Sequence, residues 1–336
     1  MSKQNYSLSV LVRILSLAYL AAGCDSGGTS LGIETGGTRT AGGNSSMPGG
    51  GTSSAGGGSG NTPTGGAGPA TGGAGTGGNA TGGAPCVPGT QIGASFSTNY
   101  FIMAFSQLSP FYVFNNGWSS TATNLTSSGA SESVAAFETC TPGTISWSTT
   151  YSWNGDTSSV KAYPAAILGW HSTKGFKVDS SLTGLPKAIS SLTSVKCSWD
   201  FVPSSGAQDI SFDIWVHSTA CNTTAIGAST APSDEIMIWL YSNGGVNPIG
   251  YNGSGTQVSA AGANWSLYNG TVSSWAVHSF VRQGTTTSVQ DLDILALLKT
   301  SSLGLSSKCL TSIEAGIEVF NGSGTMKTNS YKCTVQ

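Results

Sequence analysis

Glu235-Ile236-Met237-Ile238-Trp239-Leu240 alternates with a period of two. That period belongs to a β-strand, whose successive side chains point to opposite faces. Ile236, Ile238 and Leu240 share one face and read as core. Glu235, Met237 and Trp239 share the other, where a carboxylate, a thioether and an indole side by side suit neither core nor bulk surface. The same split recurs twice. In Phe212-Asp213-Ile214-Trp215-Val216, Asp213 and Trp215 oppose three apolar residues. In Ile313-Glu314-Ala315-Gly316-Ile317-Glu318-Val319-Phe320, Glu314, Gly316, Glu318 and Phe320 oppose Ile313, Ala315, Ile317 and Val319. Only five glutamates occur from Cys86 onward, and three of them lie on these acidic faces.

Outward from these strands the pattern stays β. Tyr112–Asn115 and Ile145–Trp153 read as further strands. Asn154-Gly155-Asp156, Asn243-Gly244-Gly245 and Asn321-Gly322-Ser323-Gly324 read as turns. Asp291–Lys299 breaks the pattern with helical apolar spacing, acids at its start, a lysine at its end and Ser288 as a candidate cap. Short strands with one short helix predict an all-β sandwich or jelly roll. A sandwich with one solvated face carries acids there by default. The aromatics argue for more. Trp147, Tyr151 and Trp153 share parity on their strand, as Asn116 and Trp118 do on theirs. Indoles facing water are costly unless something binds them.

Composition narrows the partner. Of 336 residues only 8% are charged, and the net charge is −2. Ordinary proteins carry about 25% charged residues. With no Lys/Arg run there is no concentrated positive field for phosphates, so a nucleic-acid partner is not expected. A surface of Ser, Thr, Asn and Gly suits a neutral, hydroxyl-rich ligand such as a polysaccharide. Residues 25–85 are nearly all Gly, Thr, Ser, Ala, Asn and Pro without an aromatic, and predict a disordered linker. Such a tether spans roughly 40–45 Å as a flexible coil. All nine tryptophans lie in residues 86–336, the expected folded domain.

Residues 1–24 read as an export signal. Lys3 and Arg13 precede the apolar run Ile14–Leu20, which is too short to span a bilayer, and Ala21-Ala22-Gly23-Cys24 follows. That string resembles a bacterial lipobox, with Cys24 lipidated and anchoring an exported cell-surface protein. An ordinary secretory signal is the alternative. Six cysteines remain of the seven: Cys86, Cys140, Cys197, Cys221, Cys309 and Cys333. An even count in an exported chain implies disulfides. Sequential pairing is expected, since each pair then closes one local loop. No C-x-x-C spacing supports a metal site. His171, His217 and His278 show no paired ligand spacing, so neither metal nor cofactor is implied.

The chain resembles glycoside hydrolase family 12 from about Tyr112 to Phe320. The resemblance runs through Phe114-Asn115-Asn116-Gly117-Trp118, Trp147 and Trp153 with Val160-Lys161-Ala162-Tyr163-Pro164, and Phe212–Trp215. It continues through Asp234–Leu240, Gly245-Val246-Asn247-Pro248-Ile249-Gly250, Trp275–Val281 and Glu314–Phe320. The most specific pieces are the E-I-M-I-W-L string, the P-I-G that soon follows it, and the late A-G-x-E. The resemblance implies a concave β-jelly roll of two antiparallel sheets and a retaining endo-β-1,4-glucanase, acting as a monomer on cellulose, mixed-linkage β-glucan or xyloglucan. It implies Glu235 as nucleophile, Glu318 as general acid/base and Asp213 beside the nucleophile. Asn116 and Trp118 match substrate contacts. Trp153, Met237, Trp239, Pro248 and Glu314 are the further candidate contacts. Many relatives have Thr-Glu-Pro-Phe at Ile317–Phe320 and Asn-Leu-Trp-Gly at Asn116–Ser119; these departures leave both carboxylates intact and bear on substrate preference.

Retaining hydrolysis needs two carboxyls about 5–5.5 Å apart, one ionised and one protonated at the start. Their environments must therefore push the two proton affinities apart. A non-catalytic carbohydrate-binding surface lipoprotein is the competing expectation. It would keep the aromatics without needing both glutamates on cleft faces.

Overall fold

The structure is a computed structural model that describes residues 86–96, 103–105, 110–117, 130–171, 176–177, 183–222, 226 and 230–336. The expected signal segment with Cys24, the linker 25–85 and Trp118 lie outside the described residues.

Two sheets face each other. The first runs in the order β1 (Gln91–Phe96), β4 (Ser131–Phe137), β5 (Thr144–Trp153), the C-terminal half of β16 (Cys309–Val335), β9 (Val195–Val202) and β15 (Ser288–Asp293). The second begins with β2 (Met103–Phe105), β3 (Phe111–Phe114), β6 (Ala165–His171) and the N-terminal half of β16. It continues through β10 (Ala207–His217), β11 (Asp234–Asn243), β14 (Trp275–Arg282), β13 (Ala263–Val272) and β12 (Thr256–Ala260). The two-residue strands β7 (Phe176–Lys177) and β8 (Lys187–Ala188) extend it beside β6 and β16. Among the described strands every pair is antiparallel except β11 with β14. β12 runs in the direction of β11, and the two reversals at β12–β13 and β13–β14 cancel, so β14 again runs in the direction of β11.

β16 serves both sheets. It pairs with β10 and β6 up to Asn321 and with β5 from Gly322. The expected turn at Asn321–Gly324 is therefore a strand passing from one sheet to the other. Its glycines make the passage possible. Gly322 has φ +97°, and a Cβ at Gly324 would lie 2.8 Å from the Ser204 side chain.

The inter-sheet core matches the expected apolar faces of the second sheet: Ile236, Ile238 and Leu240, Phe212, Ile214 and Val216, and Ile313, Ala315, Ile317 and Val319 all lie in it. The first sheet answers with Trp147, Tyr151, Trp153, Trp199 and Tyr331. Trp147 stacks on Trp199 at a ring distance of 5.9 Å. This corrects the expectation for β5. Trp147, Tyr151 and Trp153 do share one face, but that face points into the sandwich, where large rings bury most area. Trp153 is 1% exposed and donates its indole N–H to Glu132 Oε2 at 2.8 Å. It is core, not a substrate contact.

The helix α1 covers only Ile294–Leu298, because Ser288–Asp293 pairs with β9 as a strand. The cap is Asp293, whose side chain accepts from the Ala296 N–H at 3.1 Å, and not Ser288. The disulfides are Cys86–Cys140, Cys197–Cys333 and Cys221–Cys309. Only the first follows the sequential expectation. Cys197 and Cys333 are direct cross-strand partners on β9 and β16, so sheet register overrides loop length. Three such bonds fit an exported protein. Among the described residues no helix is long and apolar enough to cross a membrane.

Candidate active site

The face of the second sheet turned away from the core carries the carboxyls. β10 presents Asp209, Ser211, Asp213 and Trp215, all on the parity opposite its core residues. Across the β10–β11 pairing, Trp215 lies opposite Glu235 and Asp213 opposite Met237. Across the β10–β16 pairing, Asp213 lies opposite Glu314 and Asp209 opposite Glu318. β10 thus separates the two glutamates and contacts both. Glu235 and Glu318 are half-exposed within runs of buried residues on their strands. Each residue keeps some exposure where its neighbours are sealed, yet its carboxyl group lies deep enough for burial to act on it.

Apolar groups flank them. Met237, Trp239, Val246, Val277 and Phe320 form one cluster on this face, with Trp275 packed against it. Trp215 meets Trp275 and His171 edge to face, both at 5.8 Å. Pro248 is buried, while the adjacent Ile249 and Tyr251 are 40% and 50% exposed, and Tyr251 lies 5.4 Å from the Tyr268 ring. Asn116 follows β3; its carbonyl accepts from the Tyr163 N–H at 2.7 Å, and the Tyr163 hydroxyl donates to the Ser211 carbonyl at 3.0 Å.

Hydrogen bonds and charge differentiate the carboxyls. Trp275 Nε1 donates to Glu235 Oε2 at 2.7 Å. Burial raises the Glu235 carboxyl to about 7, with the Trp275 bond opposing and Glu314 adding to the rise. Glu318 is pushed well above its ordinary range, first by burial and then by Asp209, Glu235 and Asp213. Asp213 is likewise raised, by burial and then by Glu235, Glu314 and Asp209. Of the two half-exposed glutamates, Glu318 therefore holds its proton more firmly.

Glu314 departs from expectation. It is wholly buried, and its Oε1 accepts from His171 Nδ1 at 2.6 Å and from Ser312 Oγ at 3.1 Å. It supports the face from beneath and offers no surface to a ligand. The first residue of β11 is fixed as well. Asp234 accepts from Lys308 Nζ at 2.5 Å, Ser233 Oγ at 2.7 Å and His278 Nε2 at 3.2 Å. Burial disfavours its charge, yet these bonds prevail and hold it at about 2. His171 and His278 thus serve carboxylates. Sequence reasoning missed Asp209 and the Trp275–Glu235 bond. The parity of Asp209 with Asp213 was a usable signal for the first; the second depends on the parallel β11–β14 pairing.

A two-sheet β-sandwich with paired carboxyls beside indoles on one open face is the setting of a carbohydrate-active protein. The sequence model of Glycosyl hydrolase family 12 matches residues 109–336. The chain belongs to this family and is a glycoside hydrolase. It is 31% identical over 225 residues to a xyloglucan-specific endo-beta-1,4-glucanase A of Aspergillus aculeatus, covering 66% of this chain and 83% of that one. It is also 31% identical over 234 residues to the inactive glycoside hydrolase XLP1 of Phytophthora nicotianae, covering 68% and 88%. The structure superposes on the native family 12 xyloglucanase from Bacillus licheniformis with a TM-score of 0.60 at 28% identity, over 72% of this chain and 100% of that one.

Proposed function

We propose that the chain is a retaining endo-β-1,4-glucanase in which Glu235 is the nucleophile and Glu318 the general acid/base. The observation that carries the reading is the inequality of the two half-exposed glutamates. Glu235 accepts an indole N–H, which favours its anion. Burial, and after it Asp209, Glu235 and Asp213, favour the acid form of Glu318. In the first step the Glu235 carboxylate forms a bond to the anomeric carbon as the glycosidic C–O bond breaks, and Glu318 gives its proton to the leaving oxygen. In the second, water gives a proton to Glu318 and its oxygen displaces Glu235. Asp213 is the carboxyl that keeps Glu235 oriented, Asn116 and Trp118 are the proposed sugar contacts, and Met237, Trp239 and Pro248, being buried, back the face from beneath. Relatives named for xyloglucan make that polymer the first substrate to try.

The non-catalytic alternative has a named precedent in the inactive relative. Two partly exposed glutamates, both raised by burial but only Glu235 held by an indole N–H, favour catalysis. Reducing-end release from xyloglucan, barley β-glucan and carboxymethylcellulose tests the reading. Wild type should release ends from at least one polymer, and Glu235→Ala and Glu318→Ala should each lose activity by orders of magnitude. A wild type that binds and never cleaves would establish the alternative.

For the remainder of the chain, we propose residues 1–24 as an export signal ending in a lipidated Cys24, 25–85 as a tether, and 86–336 as the catalytic domain. Cys24→Ser should move the protein from the membrane to the soluble fraction; unchanged fractionation would oppose an anchor.

A further inference from the structure

Asp209 is wholly buried, two residues before Ser211 and directly across from Glu318. Ser211 Oγ donates to Asp209 Oδ1 at 2.7 Å. Asp209 Oδ2 takes no hydrogen bond from an N–H or hydroxyl among the described residues. Across the strand pair stands the Glu318 carboxyl, and the two side chains are hydrogen-bonded. Ionised carboxylates only accept, so two can be joined this way only with a proton between them. Without it, two anions would face each other in a buried setting.

The surroundings decide where that proton sits. Ser211 donates to Asp209 and so favours its anion. Glu318 is acted on by Asp209 and Asp213 from β10 and by Glu235 from β11. The phenol of Tyr163, from the segment before β6, donates to the Ser211 carbonyl at 3.0 Å, and burial, then Asp213, Glu314, Asp209 and Glu318, raise it well above its ordinary range. We infer that Asp209 is a positioning residue of this site: as an anion it holds the shared proton on Glu318 before the first step, and it makes the spent Glu318 carboxylate a stronger base for the second. The inference rests on Glu318 as the acid/base. Burial works against the Asp209 anion and raises that carboxyl to about 7, its bonds with Glu318 and Ser211 oppose the rise, and Glu318 is pushed further above its ordinary range, so of the two carboxyls Glu318 keeps the proton. Proton count balances. Glu318 loses one proton to the leaving oxygen and regains one from water, while Asp209 stays ionised throughout.

The test is the pH profile of kcat/KM for Asp209→Asn, which keeps shape and removes charge. Its alkaline limb, set by loss of the Glu318 proton, should move acidward by about one pH unit or more, so that activity on the alkaline side falls about tenfold. An unmoved limb in a folded variant overturns the inference while leaving Glu318 in its role. Failure of that role itself would show separately, as Glu318→Ala cleaving polysaccharide like wild type. A second measurement needs no Asp209 variant. In wild type labelled with carbon-13 at the side-chain carboxyls, Glu318 and Asp209 should each titrate in two shared steps. Independent single steps would overturn the pairing.

Discussion

Trp275 on β14 donates its indole N–H to Oε2 of Glu235 on β11 at 2.7 Å, across the only parallel pairing among the described strands. A hydrogen bond to a charged group contributes about 1.5–3 kcal/mol. Trp275→Phe keeps the ring and removes the donor. It should lower kcat/KM by roughly 10- to 100-fold. The bond favours the Glu235 anion, so its loss should raise the proton affinity of Glu235 and move the acid limb of the pH profile to higher pH. An acid limb in its wild-type place would show that Trp275 only packs.

Asp213 is buried, and burial, then Glu235, Glu314 and Asp209, push its carboxyl well above its ordinary range, which favours the neutral acid. A neutral carboxyl can donate to Glu235, and an amide can replace it. Asp213→Asn should therefore keep about tenfold or more of the activity that Asp213→Ala loses. Equal loss in both variants, with both folded, would mean that Asp213 acts as an anion.

Glu132 lies 2% exposed beneath Trp153, and burial raises it to about 7 despite the indole N–H it accepts. Its unfolded value is about 4.3. The stability it contributes as an acid is fully present below about pH 4 and is lost as pH rises through about 7, on the order of 3 kcal/mol in all. Glu132→Gln should remove this slope and leave the protein more stable than wild type at pH 8. Urea denaturation at pH 5 and pH 8 measures it; an unchanged slope would place the ionisation elsewhere. Trp153→Ala should cost about 3–5 kcal/mol as a core truncation. A folded Trp153→Ala with a large rise in KM would restore Trp153 as a substrate contact.

The contrast between Trp239 and Trp153 shows what was legible in the sequence. Period-two alternation assigned Ile236, Ile238 and Leu240 to one face and Glu235, Met237 and Trp239 to the other, because one set was wholly apolar. On β5 neither face was wholly apolar, so parity gathered Trp147, Tyr151 and Trp153 without saying which way they point. Register was beyond reach for the same reason. Asp209 and Glu318 are 109 positions apart, and Cys197 and Cys333 are 136 apart; only the path of β16 through both sheets brings each pair together. Glu314 shared the parity of Glu318 yet lies sealed, since parity gives the face and not the depth. The turn residues at Asn321–Gly324 were read locally, and the strand continues through them.

The proposed roles require that Glu235 attacks the anomeric carbon and that Glu318 does not. The most direct measurement is covalent trapping with a 2-deoxy-2-fluoro cello-oligosaccharide bearing a good leaving group. The fluorine slows both steps, and the leaving group lets the first proceed, so a retaining enzyme accumulates its glycosyl-enzyme. Intact mass should rise by one glycosyl unit, and peptide mapping should place it on Glu235. A glycosyl unit on Glu318, or turnover with inversion and no trapped species, would contradict the account.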